Sequence, residues 1–303
     1  MKNLRFVWRS VLLGALTFLA ITSAHADIAY ISGGTSITSW NTVTNTISPV
    51  TSSANGGSVD SLIFDTSGNI VYSIIGTNSI GKYNLTTKSN TILASGGNFN
   101  GVADMALDPG GASFLVSNAF DGSIDRVNDT TGVTTTLYNG GLRPDGLAYD
   151  GSGNLFAVLG LTEVAQLDPV TGAVIKTIST PNQPDGLTFD ATTGKLYVSS
   201  DGGGFYTVDP GLTSATFTSL SGHVFDGVAS SGNLLYFVER NTGGVQYNLT
   251  TGLITVTSPF ISGADDIAPV AGLGSPVPEP RGLVLLSMGL LGLVAFVRRR
   301  FAQ

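Results

Sequence analysis

The sequence predicts an all-β protein, a six-bladed β-propeller, on the strength of three observations. The chain contains 40 glycines and only 12% charged residues, and its apolar residues show little helical periodicity. A short motif, which reads Asp-Gly-Leu-x-x-Asp in its two clearest copies, recurs in variant forms every 39 to 43 residues. A hairpin-turn cluster follows in each repeat. Units of about 40 residues with this organisation are typical of four-stranded propeller blades.

Residues 1–26 have the three parts of a secretory signal peptide. A basic start is followed by an apolar stretch that runs to Ile21, and the segment ends in Ala24-His25-Ala26. Small residues at Ala24 and Ala26 are typical of a cleavage site, so we expect cleavage after Ala26 and export of the protein. A retained anchor is the alternative, but the apolar stretch is short for a membrane span and no stop-transfer pattern follows it.

The repeat frame starts at an aspartate in five of six units. The clearest copies are 145–150 and 185–190, each followed by a glycine and an apolar strand. The frame positions are Asp60, Ala103, Asp145, Asp185, Asp226 and Asp265. The second half of each unit contains a turn cluster such as Asp168-Pro169-Val170-Thr171-Gly172, which indicates a hairpin between two alternating strands. Six such hairpins and six frame positions predict six blades.

The two ends of the repeat region complement each other. Residues 28–50 supply three strands without an innermost one, and residues 265–270 supply only an innermost strand. We therefore predict one domain, 27–271, closed by three N-terminal strands plus one C-terminal strand. A β-solenoid of the same period is the competing fold, and it gives no reason for complementary ends.

The frame motif also carries a resemblance. The pattern Pro-Asp-Gly-Leu-x-x-Asp at Pro144 and Pro184, followed by Gly-x-Leu-aromatic, is similar to the NHL, gluconolactonase and streptogramin-lyase group of six-bladed propellers. It covers nearly all of residues 28–270. The resemblance implies the fold and leaves function open, because this fold hosts enzymes, receptors and scaffolds.

The C-terminal segment consists of a linker, 272–280, and a tail, 281–303. The linker ends in Pro278-Glu279-Pro280, and the tail has an apolar helix followed by a basic cluster of Arg298, Arg299 and Arg300. This order resembles the PEP-CTERM sorting signal, which exosortases recognise in Gram-negative bacteria. The arginines favour a cytoplasmic tail end. The resemblance implies an inner-membrane-anchored intermediate and then a cell-surface or extracellular protein. A simple tail anchor would not explain Pro-Glu-Pro.

The charge of the body differs sharply from that of the whole chain. Seven of the 14 basic residues lie in 1–26 and 281–303, and all 21 acidic residues lie between these segments, so the body has a net charge near −14. This charge disfavours nucleic acid and anionic lipid as partners. The chain has no cysteine, so disulfides cannot stabilise it.

One rim of the predicted ring is acidic, because the inner strands all start there. Its carboxylates could bind Ca²⁺ or another divalent cation, which takes six to eight oxygen ligands. The candidate metal ligands are Asp145, Asp185, Asp226, Asp201 and Glu239. Other residues on this rim are Asn100, Asn118, Asp121, Arg143, Glu163, Gln183, His223 and Arg240. Alternatively, each frame aspartate accepts backbone N–H groups at its own turn, and the following glycine supplies a permissive dihedral.

Catalytic chemistry has weak support in the sequence. His223 is the only histidine outside the signal peptide, which argues against a His-based triad or a multi-His zinc site. The related streptogramin lyases use histidine, and gluconolactonases hold a divalent metal with Glu, Asn and Asp. Asn118, Asp201 and Glu239 do not match that ligand set residue by residue. We assign no catalytic residue and no certain cofactor.

Two functional hypotheses remain open. The first is a non-enzymatic surface or matrix protein whose rim binds a polysaccharide or another surface protein. PEP-CTERM proteins are associated with exopolysaccharide-producing, biofilm-forming bacteria, and the resemblance implies that setting and an exosortase as processing partner. The alternative is a metal-dependent lactonase or lyase on the same rim.

Overall fold

The protein folds as a ring of six four-stranded antiparallel sheets. The computed structural model describes residues 28–97, 99–240 and 242–269. No helix occurs within these ranges, so none there is long and apolar enough to cross a membrane. The prediction of an all-β six-bladed propeller is confirmed. The predicted signal peptide, the linker after residue 271 and the sorting tail lie outside the described residues.

The described residues contain 24 strands. In chain order they are β1 (Ile28–Gly33), β2 (Ser36–Asn41), β3 (Thr46–Ser52), β4 (Ser58–Phe64), β5 (Ile70–Ile75), β6 (Ser79–Tyr83), β7 (Asn90–Ser95), β8 (Val102–Leu107), β9 (Ser113–Asn118), β10 (Ser123–Asn128), β11 (Thr134–Asn139), β12 (Pro144–Tyr149), β13 (Leu155–Leu159), β14 (Glu163–Leu167), β15 (Val174–Ser179), β16 (Pro184–Asp190), β17 (Lys195–Ser200), β18 (Gly204–Val208), β19 (Ala215–Ser219), β20 (Phe225–Ser231), β21 (Leu234–Glu239), β22 (Gly243–Asn248), β23 (Leu253–Thr257) and β24 (Ala264–Pro269).

Blade 1 joins the two ends of the described chain. Its strand order from the axis outward is β24-β1-β2-β3, and blades 2 to 6 follow as β4–β7, β8–β11, β12–β15, β16–β19 and β20–β23. Strand β24 pairs antiparallel with β1, with Ile267 opposite Ile31 and Ala264 opposite Gly33. This is the predicted closure by three N-terminal strands plus one C-terminal strand. It leaves the ring without an open end.

The core lies between neighbouring blades. The aromatic residues of the second strands, Phe114, Phe156, Tyr197 and Phe237, are all buried. The Phe205 ring of blade 5 lies 5.3 Å from the Phe237 ring of blade 6, centroid to centroid. Burial of one such side chain contributes about 2–3 kcal/mol. The aromatic repeat therefore serves packing between blades, as the sequence indicates.

Each innermost strand is interrupted by a β-bulge at the repeat frame. The pairing register shifts between Val59 and Leu62 in β4, and the same shift recurs at the matching place in the other blades. A bulge bends a strand and changes the direction of its side chains. The bulges lie close to the starts of the inner strands, on one face of the ring. We call it the channel face, onto which the loops entering the inner strands open.

Candidate functional site: the acidic channel mouth

The bulged ends of the six inner strands surround a cavity on the axis. Its volume is about 340 Å³. Its ionisable lining residues, from all six blades, are Asp60, Asp104, Asp145, Asp185, Asp226, Asp265, Asp266, Arg143 and Arg240. Seven carboxyl groups thus face two guanidinium groups. We call this cavity the channel mouth.

Arg143 occupies only one oxygen of Asp145. Its Nε and Nη2 atoms donate to Oδ1 of Asp145 at 3.1 and 2.9 Å. Asp145 is fully buried, and its Oδ2 atom has no hydrogen-bond partner among the described residues. Burial raises the pKa of Asp145, and the Arg143 charge opposes that shift. This oxygen is therefore a buried acceptor without a partner in the wall of the channel mouth.

The Arg240 guanidinium binds both carboxylate oxygens of a second frame aspartate, Asp226. Its Nε atom donates to Oδ2 of Asp226 at 2.7 Å, and its Nη2 atom donates to Oδ1. The same Nη2 lies 4.0 Å from Oδ2 of Asp185. Paired N–H···O bonds of this kind are among the strongest polar contacts in proteins. Burial and a hydrogen bond that the protonated Asp226 donates to Asp265 nevertheless raise the pKa of Asp226 to about 6.

Carboxyl groups of neighbouring blades also bond to one another. Asp265 is hydrogen-bonded to Asp60 on one side and to Asp226 on the other, and Asp226 is bonded in turn to Asp185. A hydrogen bond between two carboxyl groups requires a shared proton. Burial raises the pKa of Asp265 to about 8 and that of Asp60 to about 6. The channel mouth therefore retains protons at a pH where isolated aspartates are ionised.

Asp104 and Asp266 differ from the frame aspartates because they bind backbone amides of the next blade. They stand one residue after the frame position, where blades 4, 5 and 6 have glycine. Oδ2 of Asp104 accepts from the Leu147 amide of the next blade at 2.6 Å. Oδ2 of Asp266 accepts from the Leu62 amide of the next blade at 3.0 Å. These carboxylates bridge adjacent inner strands. Burial raises both pKa values, that of Asp266 to about 6.

The glycines at this position allow close approach of neighbouring inner strands. A Cβ atom on Gly146 would lie 2.5 Å from the backbone nitrogen of Leu187, and one on Gly227 would lie 2.5 Å from Oδ1 of Asp266. Neither glycine has a positive φ. The expectation that they supply a permissive dihedral is therefore wrong. They are required because the strands converge on the axis.

A ring of serines supports the bulges, and sequence reasoning missed it. The second strands of four blades carry a serine at the same position. It directly follows the residue that pairs with the motif leucine, or with the residue that replaces it. These serines are Ser32, Ser73, Ser117 and Ser199. Each hydroxyl accepts from an amide at the bulge, for example that of Asp104 at 2.8 Å and that of Gly186 at 2.8 Å. Blades 4 and 6 have Val158 and Val238 there. The repeated serine was visible in the sequence once the blades were aligned.

Three of the five predicted metal ligands come together. One carboxylate oxygen each from Asp185, Asp201 and Asp226 lie within 4.8 Å of one another. Calcium–oxygen bonds of 2.3–2.6 Å can span such a group, but a cation there would have to displace Arg240, which binds both oxygens of Asp226. Asp145 lines the channel mouth together with Asp185 and Asp226, whereas Asp201 and Glu239 are outside its lining. The metal assignment stays a prediction.

Glu239 belongs to a separate contact around His223. Nδ1 of His223 lies 3.3 Å from Oε1 of Glu239, although the two atoms are not aligned for a hydrogen bond. The imidazole stacks on the Phe225 ring at 5.6 Å. Neither residue lines the cavity. His223 is therefore placed beside the channel mouth and not in it.

Several other residues that the sequence predicted for the rim make their contacts outside the cavity. Asn118 is buried inside its blade and donates to Oδ2 of Asp125 at 2.8 Å. Asn100 donates to Asp121 at 2.8 Å on the channel face. The sorting and cleavage residues lie outside the described ranges: Ala24, Ala26, Pro278, Glu279, Pro280, Arg298, Arg299 and Arg300.

Comparison with known proteins shows the fold alone. No family model matches this sequence, and no curated protein matches it. Among solved structures, a chain of a nidogen–laminin complex is similar, with a TM-score of 0.67 and 18% identity over 79% of this chain and 97% of that chain. A streptogramin B lyase has a TM-score of 0.55 and 14% identity over 66% of this chain and 68% of that chain. A protein of unknown function from Bacteroides caccae reaches 0.62 and 15%, covering 81% of this chain and all of the other. The six-bladed propeller thus has structural neighbours of the NHL and streptogramin-lyase type.

Proposed function

We propose that this protein is an exported, non-enzymatic binding propeller of the bacterial cell surface or matrix, and that its ligand binds at the channel mouth. The observation that carries the proposal is the convergence of seven carboxyl groups from all six blades on one cavity. Such a concentration of buried like charge opposes folding, and perturbed carboxyl groups of this kind cluster at functional sites. Polysaccharides and exported proteins are the candidate ligands.

The placement of histidine supports binding over catalysis. His223 is the only histidine outside residues 1–26. It stacks on Phe225 and faces Glu239 instead of lining the cavity. A general base must reach the proton that it removes, so His223 would need a different position to act in the channel mouth. The carboxyl groups that do line the cavity are already engaged with arginines, with one another or, for Asp104 and Asp266, with backbone amides.

Binding at the channel mouth is tested with an isosteric double variant. The purified protein is immobilised and exposed to exopolysaccharide fractions and to exported proteins of its host. Asp185→Asn combined with Asp201→Asn should abolish capture, because two of the clustered charges are removed without loss of volume. Asp209→Asn is the matched control, since Asp209 lies in an exposed turn on the opposite face and pairs with Lys195 at 3.1 Å. Equal capture by the double variant would contradict the proposal.

Sorting is proposed from the terminal segments. A signal peptide ending at Ala26 and a tail like that of PEP-CTERM proteins support export, an inner-membrane intermediate and processing by an exosortase. Glu279→Ala together with Pro280→Ala should leave the tail uncleaved, as should deletion of the exosortase. Immunoblots of membrane and extracellular fractions would report the mass and location. Processing of the variant at the wild-type rate would refute the sorting role of this motif.

The grouping of Asp185, Asp201 and Asp226 favours one second candidate, a metal-dependent lactonase or lyase. A bound divalent cation would polarise a carbonyl or activate water there. The test is turnover of a lactone panel with Ca²⁺, Mg²⁺ or Mn²⁺, in wild type and in Asp201→Asn. Metal-dependent turnover that Asp201→Asn removes would replace the binding proposal. Absence of turnover in every metal would eliminate this candidate.

A further inference from the structure

The cluster of Asp185, Asp201 and Asp226 already contains a positive charge, the guanidinium group of Arg240. Arg240 donates to both carboxylate oxygens of Asp226, from Nε at 2.7 Å and from Nη2. The same Nη2 atom lies 4.0 Å from Oδ2 of Asp185. Burial and the Asp226 charge raise the pKa of Asp201, and the Arg240 charge opposes that rise. One guanidinium group therefore acts on all three carboxyl groups.

A divalent cation and this guanidinium group would compete for the same oxygens. One oxygen from each of the three carboxyl groups lies within 4.8 Å of the other two, a spacing that calcium–oxygen bonds can span. Both oxygens of Asp226 are engaged with Arg240, so an ion could reach that carboxylate only by displacing the guanidinium group. An ion that bound without displacing Arg240 would lie beside a fixed positive charge, which repels it.

The Arg240 side chain can be removed without moving a strand. Arg240 directly follows β21, which ends at Glu239, and its side chain is 53% exposed. The side chains of Asp226 and Asp185 are only 4% and 18% exposed, and both belong to inner strands. The carboxyl groups are thus fixed in the wall of the ring, whereas the guanidinium group reaches solvent. Loss of that group would leave the carboxyl groups in place for an ion from solution.

We infer that Arg240 takes the place of a divalent cation at this cluster and keeps the native protein from binding one there. The guanidinium group supplies the counter-charge from within the chain, and its paired N–H groups match the two oxygens of a carboxylate. Arg143 has no such role, because its hydrogen bonds go to one oxygen of Asp145, which is outside the cluster. The inference goes beyond the proposed binding function and does not depend on it.

The test is a calorimetric titration of calcium chloride at pH 8 into the full-length protein, after a chelator has removed other metal ions. Wild type should not bind calcium at concentrations up to about 1 mM, the weak end of the range for protein sites. Arg240→Gln should bind it with a Kd of about 0.1 mM or lower. Adding Asp201→Asn to that variant should abolish the binding. Arg143→Gln is the matched control, since it removes a guanidinium group from the same cavity and should behave as wild type does.

Thermal denaturation supplies a second measurement, because Arg240→Gln leaves the buried Asp226 without its counter-charge. The Tm of Arg240→Gln should be lower than that of wild type in chelator, and calcium should restore most of the loss. Calcium should not shift the Tm of wild type or of Arg143→Gln. Calcium binding by wild type that Asp201→Asn abolishes would overturn the inference, as would a folded Arg240→Gln protein that binds no calcium. An Arg240→Gln protein that stays unfolded in calcium would also overturn it, since the ion should replace the guanidinium group.

Discussion

The inner strands of neighbouring blades pack against each other differently in the two halves of the channel wall. In blades 4 to 6 the position after the frame aspartate is Gly146, Gly186 or Gly227, and the inner strands approach backbone to backbone. In blades 1 to 3 the same position is Asp266, Ser61 or Asp104, and side chains fill the gap between strands. We call these the glycine half and the carboxylate half.

This difference shows that the repeat specifies a backbone path and not one set of contacts. Oδ2 of Asp266 accepts from the amide of Leu62 and from the hydroxyl of Ser61, at 3.0 and 3.1 Å. No such bridge is possible in the glycine half, where strand contact replaces it. The carboxylate half therefore adds Asp104 and Asp266 to the frame aspartates that both halves carry, and the stability of the channel mouth should respond to pH.

The largest expected effect is the pH dependence of stability. Burial raises the pKa of Asp265 to about 8 and those of Asp60 and Asp266 to about 6, against about 3.9 in an unfolded chain. The folded state then holds more protons, so this contribution is fully present below about pH 4 and is lost as the pH rises to 8. At about 1.4 kcal/mol per proton and pH unit, these three groups together should lower the free energy of unfolding by about 6 kcal/mol between pH 5 and pH 8.

Urea unfolding at several pH values measures this slope. Asp265→Asn should remove more than half of it, because Asp265 keeps its proton up to about pH 8. Asp209→Asn is the control, since Lys195 and local hydrogen bonds lower the pKa of that exposed group. A wild-type profile that is flat, or that rises from pH 5 to pH 8, would refute this account of the proton-retaining carboxyl groups in the channel mouth.

The second effect concerns the glycine half. Gly146→Ala should lower the free energy of unfolding by about 3 kcal/mol, because the new methyl group meets the backbone at Leu187, which cannot move without displacing a strand. Gly110→Ala is the control, since no atom lies within 4 Å of its added Cβ. Denaturant midpoints measure both. A Gly146→Ala protein as stable as the control would mean that the inner strands have room to separate.

The third effect tests the bridge of the carboxylate half. Asp266→Ala should lower the free energy of unfolding by about 2 kcal/mol, because the buried Leu62 and Ile267 amides both lose their acceptor. Asp266→Asn retains one acceptor and should lose less. Amide hydrogen exchange at Leu62 reports the local effect. Unchanged protection of that amide in Asp266→Ala would show that the carboxylate does not hold the two strands together.

The smallest effect compares the serines beneath the bulges. All three blades of the carboxylate half have this serine, whereas the glycine half has only Ser199 and two valines. Ser117→Ala should cost about 1 kcal/mol, because the Asp104 amide loses its acceptor. Val158→Ser in the glycine half should give no matching gain. Thermal denaturation measures the stability of both variants. A Ser117→Ala protein as stable as wild type would show that these serines do not stabilise the bulges.

Much of the fold was predictable because its signals are local. The spacing of frame positions such as Asp145 and Asp185 indicated blades, and the complementary ends indicated closure between β24 and β1. The acidic character of one rim followed from the same frame. The partners of each carboxylate did not follow, since Arg240 is 14 residues from Asp226 and Leu62 is 204 residues from Asp266.

The sequence by itself determined the strands, the turns, the number of blades and the face on which the aspartates gather, because alternation and turn chemistry act over a few residues. The tertiary structure alone decided which carboxylates share protons, which oxygen of Asp145 has no hydrogen-bond partner, and why Gly146 is glycine. Those properties depend on six strands meeting at one axis. That convergence exists only once the ring has closed, so no single repeat contains it.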